Sequence, residues 1–277
     1  MVRTTIDIPE SFSFDDPNPY RRFLKKAAVA FVSISVFVTV WYVVAHVADT
    51  ALLPGPEKTW TALVRLITEG DSMTGFSLWQ YVRSSLVTFL KGFAIAFLVT
   101  LPLGLLLGYS RIMRMFTTPI VEMLRPVAPI VWAPFFIVMF GYQIGPMLVV
   151  FVGIFFPMLT NVMFGVMKVD PEWLDAAKTL GASEFQIFYK VVLPAAIPYI
   201  MNGVKVGLGI GWMCIVAAEF YASPVGGMGF LLTEFADLGY WPGVFAAVMI
   251  VGGLGILTVG VADYAHRFLS KKMGIVV

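Results

Sequence analysis

Three observations predict an all-α polytopic membrane protein: an apolar composition, apolar runs of bilayer length, and basic residues gathered on one side. Hydrophobic residues make up 59% of the 277 positions and charged residues 13%, where a soluble domain carries about a quarter charged residues. The mean hydropathy of +0.86 agrees, and a soluble globule is excluded. Six apolar runs, at roughly 27–48, 84–108, 119–140, 144–166, 197–221 and 244–266, are each long enough to cross about 30 Å of hydrocarbon as a helix. The net charge of +2 follows from Lys and Arg at membrane edges and gives no sign of nucleic-acid binding.

Residues 1–26 are polar and acidic, with Pro9, Pro17 and Pro19, and read as a cytoplasmic tail of no assigned function. The run 27–48 is too long for a signal-peptide core and is expected to be a retained signal anchor. Residues 49–83 form an outer loop in which Pro54-Gly55-Pro56 turns the chain. There Trp60, Leu63, Val64 and Ile67 recur at helical spacing, so a helix is expected along the membrane surface. Residues 84–270 hold the other five runs, with a cytoplasmic segment at 168–194, and 271–277 are a cytoplasmic tail. Arg3, Arg21, Arg22, Lys25, Lys26, Arg111, Arg114, Arg125, Lys168, Lys178, Lys190, Arg267, Lys271 and Lys272 fall on one side of this layout, and only Lys58, Arg65 and Arg83 on the other. By the positive-inside rule both termini are cytoplasmic, and the regions Tyr142–Pro146 and Ser223–Pro242 are outer turns without Lys or Arg.

The segment 168–194 reads KVDPEWLDAAKTLGASEFQIFYKVVLP and is the stretch shaped for a soluble partner. Asp170 caps a helix that begins at Pro171, and Glu172 and Asp175 lie toward the positive end of its dipole. Trp173, Ala177 and Leu180 are expected on one face. Gly181 suits the left-handed residue that closes the helix, and Ser183 with Gln186 opens a second one as a capping box. That helix carries Phe185, Phe188, Tyr189 and Val192 at i, i+3, i+4 and i+7 and is expected to stop before Pro194.

The run Asp175-Ala176-Ala177, three residues, Gly181, nine residues, Val191, one residue, Leu193-Pro194 resembles the EAA motif of ABC-importer permeases. That motif is EAA, three, G, nine, I, one, LP, so Asp175 replaces Glu and Val191 replaces Ile. The resemblance implies a type I importer permease-like fold. It also implies docking of an ATPase by Asp175, Ala176, Ala177, Gly181, Ser183, Phe185, Leu193 and Pro194. It further implies a dimer with a second copy or a homologous permease, an ATPase dimer that holds ATP and Mg, an extracytoplasmic substrate-binding protein and a prokaryotic cytoplasmic membrane. Leu101–Ser110, Glu122–Gly141, Ala217–Leu232 and the LPGP entry are similar to the nitrate, sulfonate, taurine and bicarbonate branch of these permeases.

Gly203, Gly207 and Gly211 repeat every four residues, as do Gly104 and Gly108, and mark faces for close helix approach; the first row is expected near the two-fold axis of a dimer. Pro126, Pro129 and Pro134 interrupt the third run and Pro157 the fourth, which favours runs three to five as pathway lining. Glu219 near the outer end of the fifth run is a gate or structural anchor, or else an interfacial carboxylate reaching water. Asn161 is placed to hydrogen-bond across helices. Lys91 and Lys205 snorkel or attract anions, and Asp263 is expected to pair with Arg267 one turn on.

Catalytic chemistry has little to stand on. His46 and His266 fall on opposite sides of the membrane, Cys214 is the one cysteine, and no phosphate-loop motif occurs, so ATP hydrolysis is expected in another subunit. The Gly-Gly-Met-Gly at 226–229 is rejected as a phosphate loop because it lies in an outer turn. An ion-gradient-driven secondary transporter would also show Gly- and Pro-broken helices, but the midplane lacks an ion site.

Overall fold

The computed structural model describes residues 19–71, 74–221 and 226–272; residues 1–18, 72–73, 222–225 of the expected outer turn and 273–277 of the C-terminal tail lie outside the described residues. All described regular elements are helical. In chain order they are α1 (Pro19–Ala48), α2 (Pro56–Thr68), α3 (Leu78–Tyr109), α4 (Arg111–Leu124) and α5 (Ala133–Met167). Then come α6 (Pro171–Thr179), α7 (Glu184–Ile187), α8 (Leu193–Glu219), α9 (Met228–Asp237) and α10 (Trp241–Lys272). Two units are distinguished, Met1–Thr61 and Ala62–Val277.

In the first unit α1 starts at Pro19, earlier than the apolar run, because Pro at a first helical position costs no hydrogen bond and the basic residues that follow are good helix formers. Its apolar window has no buried residue, and the Trp41 indole N–H donates to the Pro54 carbonyl at 3.1 Å.

In the second unit α5 packs between α3 and α8. The glycine rows make this possible. A side-chain carbon on Gly207 would lie 2.9 Å from Ile154 Cγ2, and one on Gly211 2.8 Å from both Ile154 Cδ1 and Phe89 Cε2. Gly104 likewise meets Val162 at 2.7 Å. The Gly203, Gly207, Gly211 row is therefore a packing face, and what it packs on is α5 of the same chain, with Phe89 of α3 beside Gly211. The opposite face of α8 is the one left open. Phe89 and Trp212 stack at 4.8 Å, and the Trp212 indole N–H donates to Thr258 Oγ1 on α10 at 2.9 Å.

Five stretches among the described residues are long and apolar enough to cross a membrane: Tyr20–Ala48, Leu78–Tyr109, Pro129–Met167, Glu184–Glu219 and Trp241–Phe268. The third is bent back on itself. Gly141 has φ +76 and ψ 173, and a side-chain carbon on Gly145 would lie 2.9 Å from Ile137 Cα while one on Gly153 would lie 3.5 Å from Pro129 Cγ. Those two contacts, four and twelve residues either side of Gly141, define an antiparallel pair of limbs. The expected run 119–140 is thus not one helix. α4 ends at Leu124, residues 125–128 around Pro126 are irregular, and a 3-10 turn over Pro129–Trp132 leads into α5. Pro157, by contrast, does not interrupt its helix: α5 continues through it, as membrane helices packed on both sides tolerate.

The outer turn expected over Ser223–Pro242 contains a helix, α9. Met228, Leu231, Leu232 and Phe235 occupy i, i+3, i+4 and i+7 and are buried with Leu66, Tyr81, Val82 and Ala247 in a second apolar cluster.

Candidate functional site

The 168–194 segment is built from local signals. Asp170 Oδ1 accepts the Glu172 N–H at 2.9 Å and Pro171 takes the first helical position of α6. Gly181, at φ +77, closes α6: its N–H donates to the Lys178 carbonyl at 2.9 Å and the Ala182 N–H to the Ala177 carbonyl at 3.1 Å, the paired bonds of a Schellman motif. The Ser183 N–H donates to Gln186 Oε1 at 2.9 Å, and Ser183 Oγ accepts the Gln186 N–H at 3.4 Å.

The second short helix does not stop before Pro194. α7 runs through a π-helical turn over Phe188–Val192 into α8. The Leu193 N–H donates to the Phe188 carbonyl five residues back, and this wider turn displaces the carbonyl that Pro194 would otherwise strike. The shifted register splits the expected apolar face. Val192 is buried and Phe188 half-buried, with the Phe188 ring edge-on to Tyr109, while Phe185 and Tyr189 are exposed and stacked at 6.1 Å. The face expected for α6 divides too: Ala177 packs on the core, whereas Trp173 and Leu180 are exposed, Leu180 to 87%. Trp173, Ala176, Ala177, Leu180, Val191 and Pro194 border one open hollow of about 760 Å³. Asp175 and Ala176 are exposed; Leu193 and Pro194 are half-buried at the start of α8.

At the opposite end of α8 the Glu219 carboxylate is buried, with 3% of the residue exposed. It accepts Ser85 Oγ on α3 at 2.8 Å and the Gly229 N–H at 2.9 Å, while Ser85 Oγ accepts the Met228 N–H at 2.8 Å. The positive N-terminus of α9 is thus filled by a carboxylate of the same chain. Gly227 and Gly229 permit the approach: a side-chain carbon on Gly227 would lie 2.6 Å from either Glu219 oxygen, and one on Gly229 would strike the Val216 carbonyl. Nearby, the Tyr81 hydroxyl donates to Asp71 Oδ2 at 2.9 Å, and Thr74 Oγ1 donates to the same oxygen. Burial and then the Asp71 carboxylate raise the Glu234 pKa above the ordinary carboxylate range.

A third polar group lies between these ends. Asn161 Nδ2 donates to the Pro157 carbonyl at 2.8 Å, and Asn161 Oδ1 accepts Asn202 Nδ2 at 2.8 Å, so Asn161 does bond across helices. Lys205 pairs with Asp263 on α10, and this interhelical contact replaces the expected Asp263–Arg267 pair. Ser85, Asn202, Asp71 and Glu234 were not singled out in the sequence; a polar residue inside an apolar run was the signal for the first two.

The helical architecture is that of a multi-pass membrane protein. The inward-facing MetNI methionine ABC transporter has a chain of similar fold, with a TM-score of 0.60 at 20% identity, covering 69% of this chain and 97% of that one. A sequence model of the family described as binding-protein-dependent transport system inner membrane component matches residues 100–273, and the chain belongs to that family of ABC-importer permeases. A putative ABC transporter permease of Methanocaldococcus jannaschii is 35% identical over 237 residues, covering 85% of this chain and 86% of that protein. The taurine transport system permease TauC of Escherichia coli is 30% identical over 252 residues, 90% of each chain. The bicarbonate transport system permease CmpB of Synechococcus elongatus is 28% identical over 261 residues, 92% of this chain and 93% of that one.

Proposed function

We propose that this chain, paired with a second copy or a homologous permease, forms the pathway of an ATP-driven importer in a prokaryotic cytoplasmic membrane. An ATPase dimer holding ATP and Mg docks on the 168–194 hairpin, and an extracytoplasmic binding protein delivers the solute. Both termini then lie with the hairpin on the cytoplasmic side, as the Lys and Arg distribution favours. The solute is a small anion of the bicarbonate or sulfonate kind, which the relatives' names support.

The observation that carries this reading is the exposed rim of Trp173, Leu180, Phe185 and Tyr189 on a hairpin whose other face is buried in the core. Such a rim at a membrane edge fits a partner groove better than water. The test is Gly181→Val. A β-branched residue at φ +77 strains the elbow and re-aims α7, at a cost of roughly 1–2 kcal/mol. The purified permease should lose its ATPase subunit and its substrate-stimulated hydrolysis. A complex that keeps both would refute the docking role.

A further inference from the structure

The Asn161–Asn202 and Lys205–Asp263 pairs lie in one layer. Asn202 and Lys205 are three residues apart on α8, so their levels differ by about 4.5 Å. Each reaches a different neighbouring helix, Asn202 to α5 and Lys205 to α10. This layer is inside the apolar region: Asn202 is five residues, about 8 Å, within the run that begins at 197, too deep for a short side chain to reach the membrane edge.

Asn202 is exposed, on the face of α8 turned away from the glycine row. One of its amide hydrogens serves Asn161; among the described residues its other hydrogen and its carbonyl oxygen have no protein partner. In hydrocarbon those groups would go unsatisfied at considerable cost, so this face is turned to the inside of the assembly and not to lipid. Val206, Gly209 and Met213 continue the same stripe outward; Val206 and Met213 are exposed and a side-chain carbon on Gly209 would meet nothing within 4 Å. The stripe is an apolar wall with one neutral donor. Lys205, 25% exposed, has its charge answered by Asp263. A solute that must leave again is served by such a donor, where an unanswered ammonium would hold an anion too firmly.

We propose that Asn202, set by Asn161 and flanked by the neutralised Lys205, is an oxyanion contact on the inner half of the translocation pathway. Its free amide N–H donates to a sulfonate or bicarbonate oxygen as the solute passes. This rests on the importer reading above and assigns a contact point within it.

The test uses the permease–ATPase complex in vesicles, without nucleotide, carrying Cys214→Ala and Val206→Cys, one turn from Asn202. The probes are 2-sulfonatoethyl methanethiosulfonate, itself a small sulfonate, and the cationic trimethylammonium reagent. The thiol at 206 should react with both at least about tenfold faster than one placed by Ile256→Cys, a position on α10 that is 78% exposed. Adding Asn202→Leu should lower the sulfonate rate about three- to tenfold and leave the cationic rate unchanged, a difference a purely structural role would not produce. Three results would overturn the proposal: a thiol at 206 as silent as that at 256, a 206–206 disulfide under oxidant without reagent access, or equal loss of both rates in Asn202→Leu. Failure of the importer reading would appear separately, as taurine or bicarbonate uptake that needs an ion gradient and not ATP.

Discussion

The hydrogen bonds that shape the turns of the 168–194 hairpin join residues two to five apart, whereas Glu219 reaches 134 residues back to Ser85 and ten forward to Gly229. The hairpin keeps large apolar side chains on its surface and sets its turns locally, although its inner face rests on the core and Glu184 accepts the Tyr109 hydroxyl at 2.6 Å. The junction around Glu219, at the end of α8 expected to face outward and so called the outer junction, does the reverse: it buries a carboxylate and cannot be assembled until α3, α8 and α9 are together. A surface that must bind and release a partner is served by the first arrangement. A fixed tie between helices is served by the second. Changes at the outer junction should therefore appear in stability, and changes on the hairpin rim in coupling.

The largest effect on this basis belongs to Glu219→Leu. The change removes the acceptor for both the Ser85 hydroxyl and the Gly229 N–H, and each buried donor left unpaired costs about 1–3 kcal/mol. Thermal unfolding of the purified permease should fall by several degrees. Glu219→Gln keeps the shape and one acceptor and should lose less. If Glu219→Leu melts with the unaltered protein, the junction is not a structural tie and the contrast with the hairpin fails.

Leu180→Ala sharpens the comparison from the other side. Leu180 is 87% exposed, so its truncation should change stability by no more than about 0.5 kcal/mol. If Leu180 is a central anchor of the dock, the same truncation should cost more than about 1 kcal/mol of ATPase binding. Titration of the ATPase subunit onto the permease measures this directly. Unchanged affinity would move the dock elsewhere on the rim.

The same contrast explains what was legible in the sequence. Asp170, Gly181, Ser183 and Gln186 were readable because a cap is defined by residues within five positions of one another. Glu219 stood out as a carboxylate in an apolar run, but its partner Ser85 could not be read from it, because only the packing of α3 against α8 brings them together. The glycine row of α8 announced close approach without saying to what; only the fold shows that α5 of the same chain lies against it. α9 was hidden by the turn signals of Gly226 to Gly229, although Met228, Leu231, Leu232 and Phe235 already carried a helical period. The π-helical turn before Pro194 was unreadable for a different reason. Proline announces that a register must change, and the wider turn satisfied it without ending the helix.

The smallest expected effect tests whether the outer junction extends to Glu234, and it appears only as a dependence on pH. Burial and Asp71 raise the Glu234 pKa, so the folded protein holds this proton over a range in which the unfolded chain has already released it. The folded state then binds more protons than the unfolded state, and stability falls as pH rises from the ordinary carboxylate range through the raised pKa. Glu234→Gln cannot ionise and removes this slope. Measured across that range, its melting temperature relative to the unaltered protein should climb with pH. Asp71→Asn should flatten the same slope in part, because it removes the second of the two causes and leaves burial in place. Solvent on the open side of Glu234, a half-buried residue, screens the effect and keeps it below that of Glu219→Leu. Parallel melting curves for Glu234→Gln and the unaltered protein at every pH would confine the outer junction to Ser85, Glu219 and the first turn of α9.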